Sequence, residues 1–274
     1  MANREPRGSA RELALVVAGC ALMCFGQLRA AEPGGTPSRL DPLLDRMAAV
    51  VGKSLTEYSD FTCKETVTQS KFGKNGKVEY KENSLFDYLV LFQSTSGEPI
   101  MVESRLAKEG SRKPRHIPLL LTNGFSTMLL IFHPYYAGDY QFTDLGEESV
   151  DGRVCVKVHF THVKGLHSTA ALLLNGREYP LDLQGTVLVD KASGTILKIN
   201  AALESPMDDV GLRSLEAEVQ YAPVRFQGFP QAYWLPMQAA IDVKSTHQHW
   251  RNLHQFTAYR HFETSAKEKI SNTP

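Results

Sequence analysis

The sequence predicts an α+β protein in which one large antiparallel sheet does most of the burying. Three observations predict it. Period-two alternation of apolar and polar residues recurs through the C-terminal two-thirds of the chain. Only two segments, near residues 40–57 and 118–133, carry helical spacing or an unbroken apolar run suited to a helix. Turn signals fall at short intervals between the alternating runs, too close together for the crossover helices of a parallel sheet.

The first 30 residues read as an address. Arg4, Arg7 and Arg11 precede an apolar run from Leu13 to Phe25 and then small residues, the pattern of a secretory signal peptide (1–30) cleaved after Ala30 or Ala31. A second reading takes Val17-Ala18-Gly19-Cys20 as a lipoprotein cleavage site that leaves Cys20 lipidated. The apolar run continues past that cut to Phe25, which favours soluble export to the periplasm over a lipid anchor. An uncleaved anchor is the third reading, although the run is short of the roughly 20 residues of a membrane span. Residues 31–39 read as a linker by their Pro, Gly and Ser content, and 265–274 as a polar tail, leaving 40–264 as one domain.

Asp41 and Pro42 suit a helix start, a cap followed by a first-turn proline. Leu40, Leu43, Leu44, Met47, Val50, Val51 and Leu55 then describe one face of an amphipathic helix ending near Tyr58. A strand follows over 60–70, and the Asn75-Gly76 step marks a hairpin. The run Leu85–Phe92 is apolar on both faces and predicts a strand covered on both sides. The segment 118–133 breaks the β pattern: Leu119, Leu120, Leu121, Phe125, Met128, Leu129 and Phe132 suggest a second helical segment bent at Asn123-Gly124 and stopped by Pro134.

Clean alternation resumes after it. Val154, Val156, Val158 and Phe160 share a face, as do Leu197, Ile199, Ala201 and Leu203, then Leu215, Ala217, Val219 and Tyr221, then Leu235, Met237, Ala239, Ile241 and Val243. In the last strand Phe256, Ala258, Arg260 and Phe262 are expected on one face, with Tyr259 and His261 on the other. Nine to eleven strands in one sheet must curl, because strand twist accumulates. The two helical segments are then expected to cover the concave face.

Thirty basic and thirty acidic residues give zero formal charge. Loss of residues 1–30 removes four basic and two acidic groups, leaving a net of −2. No basic excess is available to neutralise phosphates, which argues against a nucleic-acid partner. Cys63 and Cys155 survive leader removal. A disulfide closing about 90 residues, worth about 4 kcal/mol in the chain-entropy model, and a pair of buried thiols are equally compatible with the sequence.

Catalytic motifs are missing. There is no Gly-x-Ser-x-Gly, phosphate loop or His-Glu-x-x-His. The histidines at 247, 249, 254 and 261, and those at 159, 162 and 167, read as polar residues on a solvated face rather than metal ligands. Glu147-Glu148 and Asp208-Asp209 read as solvated loop charges, since neighbours on a strand point to opposite faces. No enzyme activity, metal or cofactor is expected.

Three stretches carry a resemblance: Gly185–Lys191 with Ser193–Ile199 as a strand–turn–strand unit, Tyr233-Trp234-Leu235-Pro236 opening a strand, and Phe256–Phe262 closing the domain. In this order they resemble the LolA/LolB-like superfamily of periplasmic lipoprotein-sorting proteins, most strongly over 183–263. The resemblance implies a half-barrel, an unclosed β-barrel whose helices cover an apolar cavity. It also implies a non-enzymatic binding protein for a lipid or the acyl chains of a lipoprotein, serving traffic to the outer membrane, with peripheral membrane contact as a further expectation. An arginine holds the helices closed in that family, and no residue here is matched to it. The expected groove lining is Phe86, Tyr88, Phe92, Leu120, Phe125, Met128, Leu129 and Phe132. The rival reading is an envelope protein-interaction or sensing domain on the same fold, without a ligand.

Overall fold

The computed structural model describes residues 40–57, 60–95, 97–107, 124–174 and 177–262. The leader, linker and tail, and with them Leu120, lie outside the described residues.

Helix α1 (Asp41–Glu57) forms where the spacing predicts it and buries Leu43, Met47, Val51 and Leu55 along one face. Each such side chain contributes about 1.5–3 kcal/mol when taken from water. The helix rests on the turn at 190–194. There Asp190 accepts hydrogen bonds from the Ala192 and Ser193 amides (3.0 and 2.9 Å), and Arg46 donates to the Lys191 carbonyl (3.2 Å). Gly194 has φ +75°, and a Cβ there would lie 2.8 Å from the backbone of Arg46, so only glycine lets the helix sit this close.

The strands are β1 (Phe61–Phe72), β2 (Val78–Thr95), β3 (Glu98–Ala107), β4 (Tyr140–Val150), β5 (Arg153–His162), β6 (Ala171–Leu174), β7 (Arg177–Pro180), β8 (Leu183–Asp190), β9 (Ile196–Leu203), β10 (Leu212–Arg225), β11 (Ala232–Ser245) and β12 (His249–His261). Ten of them make one antiparallel sheet in the order β3-β2-β1-β12-β11-β10-β9-β8-β5-β4, while β6 and β7 form a separate hairpin. The last strand closes back on the first, and β3 and β4 remain the open edges. The sheet is large and unclosed, as predicted.

The second helical segment differs from expectation. Its described part is a turn at 124–126 followed by a 3₁₀ helix, Thr127–Phe132, of six residues. Leu130, Ile131 and Phe132 are buried in the same core as α1 and the inward side chains of the sheet. The segment reaches both ends of the sheet. Phe125 packs on Phe256 of β12 (ring centroids 5.7 Å), and Phe132 packs on Phe142 of β4 and Phe160 of β5 (5.8 Å each). Tyr136 then donates to Glu98 (2.9 Å) and to the Pro99 carbonyl (3.0 Å) of β3.

Face assignments made by strict alternation fail at several places: on β5 Val154 is exposed and Cys155 is buried, on β9 a register shift sets Ile196 rather than Leu197 in the core, and β11 and β12 carry bulges. Tyr221 pairs with Pro236 while Gln220 pairs with Gln238, so Met237 is the extra residue and is exposed. In β12, Thr62 pairs with Arg260 and Lys64 with Thr257, so Ala258 and Tyr259 together face Cys63. Ala258 takes φ +54° and is exposed, and Tyr259 turns inward against Phe61 (5.5 Å). The strand Leu85–Phe92 is not covered on both sides either, since Leu85 on its outer face is 39% exposed.

Candidate binding site

The inner faces of β1, β3 and β12 carry charged and titratable side chains in the interior. Glu65 lies on the inward row of β1 with Phe61, Cys63 and Val67, and is 0% exposed. Its carboxylate accepts from Arg105 of β3, with Nη2 at 2.8 Å, and from Nδ1 of His254 of β12 at 2.8 Å. The Arg105 guanidinium lies over the rings of Tyr88 (5.3 Å) and Phe125 (6.0 Å). Burial pushes the Glu65 carboxyl up, but hydrogen bonds from His254 and Arg105 and the arginine's charge outweigh it and hold it below its usual value. Burial takes the His254 imidazole below its usual value against the pull of Glu65, so it is neutral at neutral pH.

Two residues along β3, Glu103 faces the same interior. Its carboxylate accepts from the amides of Gly124 (2.7 Å), Ser126 (3.0 Å) and Thr127 (3.1 Å), from the Thr127 hydroxyl (3.1 Å) and from the Tyr88 hydroxyl. One carboxylate thus gathers the orphan donors at the start of the 3₁₀ helix. From the far side, the Tyr221 hydroxyl of β10 donates to the Phe125 carbonyl (3.0 Å). The segment is held on the sheet by these polar contacts and by its apolar side chains, with no ladder pairing.

The predicted lining residues divide into two groups. Tyr88 and Phe125 meet around Phe256, at 5.2 and 5.7 Å, beside Arg105. Phe132 lies with Phe142 and Phe160 at the β4–β5 end. Met128, Leu129 and Phe92 are half-buried and pack on the core, and Phe86 is half-buried on β2 opposite Glu65. Tyr88, Phe125 and Phe132 are themselves buried, so in this conformation they fill the interior.

Both cysteines are free thiols, and five strands separate β1 from β5 in the sheet order. Burial, with the Glu65 charge behind it, pushes the Cys63 thiol up to about 12, so it stays protonated and is a poor nucleophile. His162 and His254 are buried, not on a solvated face. His162 sits on the inward row of β5 after Phe160, with Nδ1 2.8 Å from the Asp182 carboxylate. His249 pairs with Asp242 (2.9 Å), and His247 is exposed in the preceding turn. Among the described residues, no three His, Cys, Asp or Glu side chains converge as a metal site. No described helix is long and apolar enough to cross a membrane.

Sequence reading missed Glu65, Glu103, Arg105 and His254 as a group. Parity was a signal for Glu65 and His254, which share rows with Phe61, Cys63 and Val67 and with Phe256; on β3 the more apolar row, Ile100, Val102 and Leu106, faces outward, so parity misplaces Glu103 and Arg105.

The fold is similar to several solved structures. A DUF1329 family protein from Desulfovibrio piger is 15% identical, with a TM-score of 0.42 over 83% of this chain and 95% of that one. A LolA superfamily protein from Nitrosomonas europaea is 11% identical, with a TM-score of 0.40 over 82% and 94%. A domain from Vibrio parahaemolyticus described as outer membrane lipoprotein-sorting is 12% identical, with a TM-score of 0.46 over 82% and 94%. No protein-family model matches the sequence, and no curated protein matches it.

Proposed function

We propose that the chain is an exported, periplasmic, non-enzymatic binding protein. It holds a lipid or acyl chain between the inner face of its sheet and the segment 124–139. The observation that carries this reading is the way the segment is held. Phe125, Leu130, Ile131 and Phe132 fill the concave side without strand pairing, tied mainly by one carboxylate, Glu103. Such a segment can leave and return without breaking a ladder of backbone bonds. An acyl chain taking its place gains about 0.8 kcal/mol for each methylene buried, which offsets the lost contacts. The half-buried Met101, Met128, Leu129 and Phe92 supply adaptable apolar surface beside it. The leader pattern supports export, and the resemblance over 183–263 supports traffic of lipid or lipoprotein in the envelope.

The test is native mass spectrometry with lipid extraction on protein purified from a periplasmic extract, followed by titration with a fluorescent fatty acid. A co-purifying phospholipid or acyl species, or saturable uptake that quickens in Glu103→Gln, is the expected result. A bare mass together with no uptake overturns the reading.

A second reading, a protein-interaction or sensing domain, draws on a different feature. The outer face of β2–β3 leaves Leu85, Val102 and Leu106 exposed.

A further inference from the structure

One end of the sheet's inner face carries donors without partners. The inward row of β1 runs on from Glu65 and Val67 to Gln69 and Lys71. The register sets Glu82 of β2 and Asn252 of β12 beside Gln69, and Tyr80 and Trp250 beside Lys71. Ile241 and Val243 of β11, both buried, follow across the ladder. Gln69 is 7% exposed, yet its side-chain amide finds no hydrogen bond among the described residues. Lys71 is half-buried and has no acid within ion-pair reach among them. Its ammonium lies over the Trp250 ring, 5.8 Å from the centroid. The acid of this end, Glu82, is instead taken by the Tyr80 hydroxyl, and the Trp250 indole N–H donates to Gln248 (2.8 Å).

These groups point to one chemistry. An amide left unmatched at such burial costs free energy until a partner arrives. An ammonium resting on an aromatic face keeps its charge uncancelled. Both side chains offer N–H donors. Two residues apart on one strand face, they stand ~7 Å apart at the backbone, within reach of a single oxygen-rich anion. A cation without a counter-charge favours such an anion over a neutral polar group. Val67, Ile241 and Val243 supply buried apolar surface beside the pair.

We infer that Gln69 and Lys71 form the headgroup subsite of the carried ligand and take an anionic oxygen group, phosphate or carboxylate. The Lys71 ammonium and the Gln69 amide donate to its oxygens, and Trp250 and Val243 pack the first carbons beyond it. This rests on the carrier reading above and deepens it, by giving the ligand an acidic head at a stated end of the inner face. The acyl chain then runs along β1 past Val67, towards the Phe256 ring on which Phe125 packs.

The test is isothermal titration calorimetry of the delipidated, periplasmically purified protein. The probes share a palmitoyl chain: lysophosphatidylglycerol, palmitate and neutral monopalmitoylglycerol, with inorganic phosphate alone as the free anion. The wild type should bind both acidic lipids about tenfold more tightly than the neutral one. Lys71→Gln should erase that preference with a melting curve like the wild type's, and Lys71→Arg, which keeps the charge, should retain most of it. Equal binding of acidic and neutral lipids by the wild type overturns the inference and leaves the carrier reading standing. A preference that survives Lys71→Gln does the same. Inorganic phosphate that binds as tightly as lysophosphatidylglycerol, and needs Lys71, makes this a site for a free anion and overturns the headgroup assignment. No uptake of any palmitoyl probe overturns the carrier reading and this inference with it.

Discussion

The interior of the sheet has two halves built on different physics. Around β5, β8, β9 and β10 it is mostly apolar, His162 aside: Val158, Phe160, Val187, Val189, Ile199 and Val219 are all fully buried. Around β1, β3 and β12 it encloses Glu65, Arg105 and His254, with Glu103 close by. The apolar half gains stability from every contact and tolerates small changes in shape. The charged half has offset desolvation with hydrogen bonds, so it is intolerant of losing one partner. It is also the half on which the 124–139 segment is tied. Directional bonds suit a contact that must be made and released in one geometry.

Substitutions can break this contrast. Arg105→Met should destabilise by about 3–5 kcal/mol, because it strands the Glu65 charge in the interior. Ile199→Val in the apolar half should cost only about 0.5–1.5 kcal/mol. Urea unfolding of both checks this, and similar losses would mean that the charged cluster is better solvated than its burial indicates.

Glu103→Gln should cost about 1–3 kcal/mol by leaving amide donors of 124–127 poorly matched. Hydrogen exchange at Gly124, Ser126 and Thr127 should quicken far more than at the β8–β9 ladder.

Acid should sharpen the contrast. His254 is held below its ordinary 6.5, so the unfolded chain takes up a proton in the window just below 6.5 that the folded chain refuses. Stability therefore falls as pH drops through that window, by at most about 1.4 kcal/mol per pH unit for one group. Burial lowers His133 in the same direction. Below 4.5 a second decline follows, as Glu65, Asp190 and Glu218, all lowered in the fold, are protonated more readily in the unfolded chain. Denaturant midpoints between pH 7 and 3 check both steps, and His254→Phe should shrink the first.

The smallest effect is expected at the β12 bulge. Ala258→Gly relieves a left-handed alanine (φ +54°) and should add up to about 1 kcal/mol, visible as a small rise in Tm.

Much of this architecture was legible from residue spacing. The helix face from Leu43 to Leu55 and the strand row of β10 follow from periodicity alone, because one-sided burial imposes it, while the rows of β5 and β9 hold only from Val156 and Ile199 onward. The bulges at Met237 and Ala258 were not legible, since an inserted residue changes facing without changing composition. The 3₁₀ form of 127–132 was hidden for a related reason. Its apolar run is set by burial on every side, which a short tight helix and a longer α-helix satisfy alike. The charged cluster was half visible. Parity points Glu65 and His254 inward but puts Glu103 and Arg105 on the less apolar row of β3, and the contact between residues 65 and 254 depends on a strand order that no local pattern carries.

That contact spans 189 residues, because β1 pairs with β12. A chain made from its N-terminus presents β1 at the outset, and its partner strand only at the end. Until His254 arrives, Glu65 has no complete set of donors, and the inner face of β1 cannot be sealed without cost. A chain cut short before residue 254 is therefore expected to stay open and accessible to proteases, whatever the condition of its central strands.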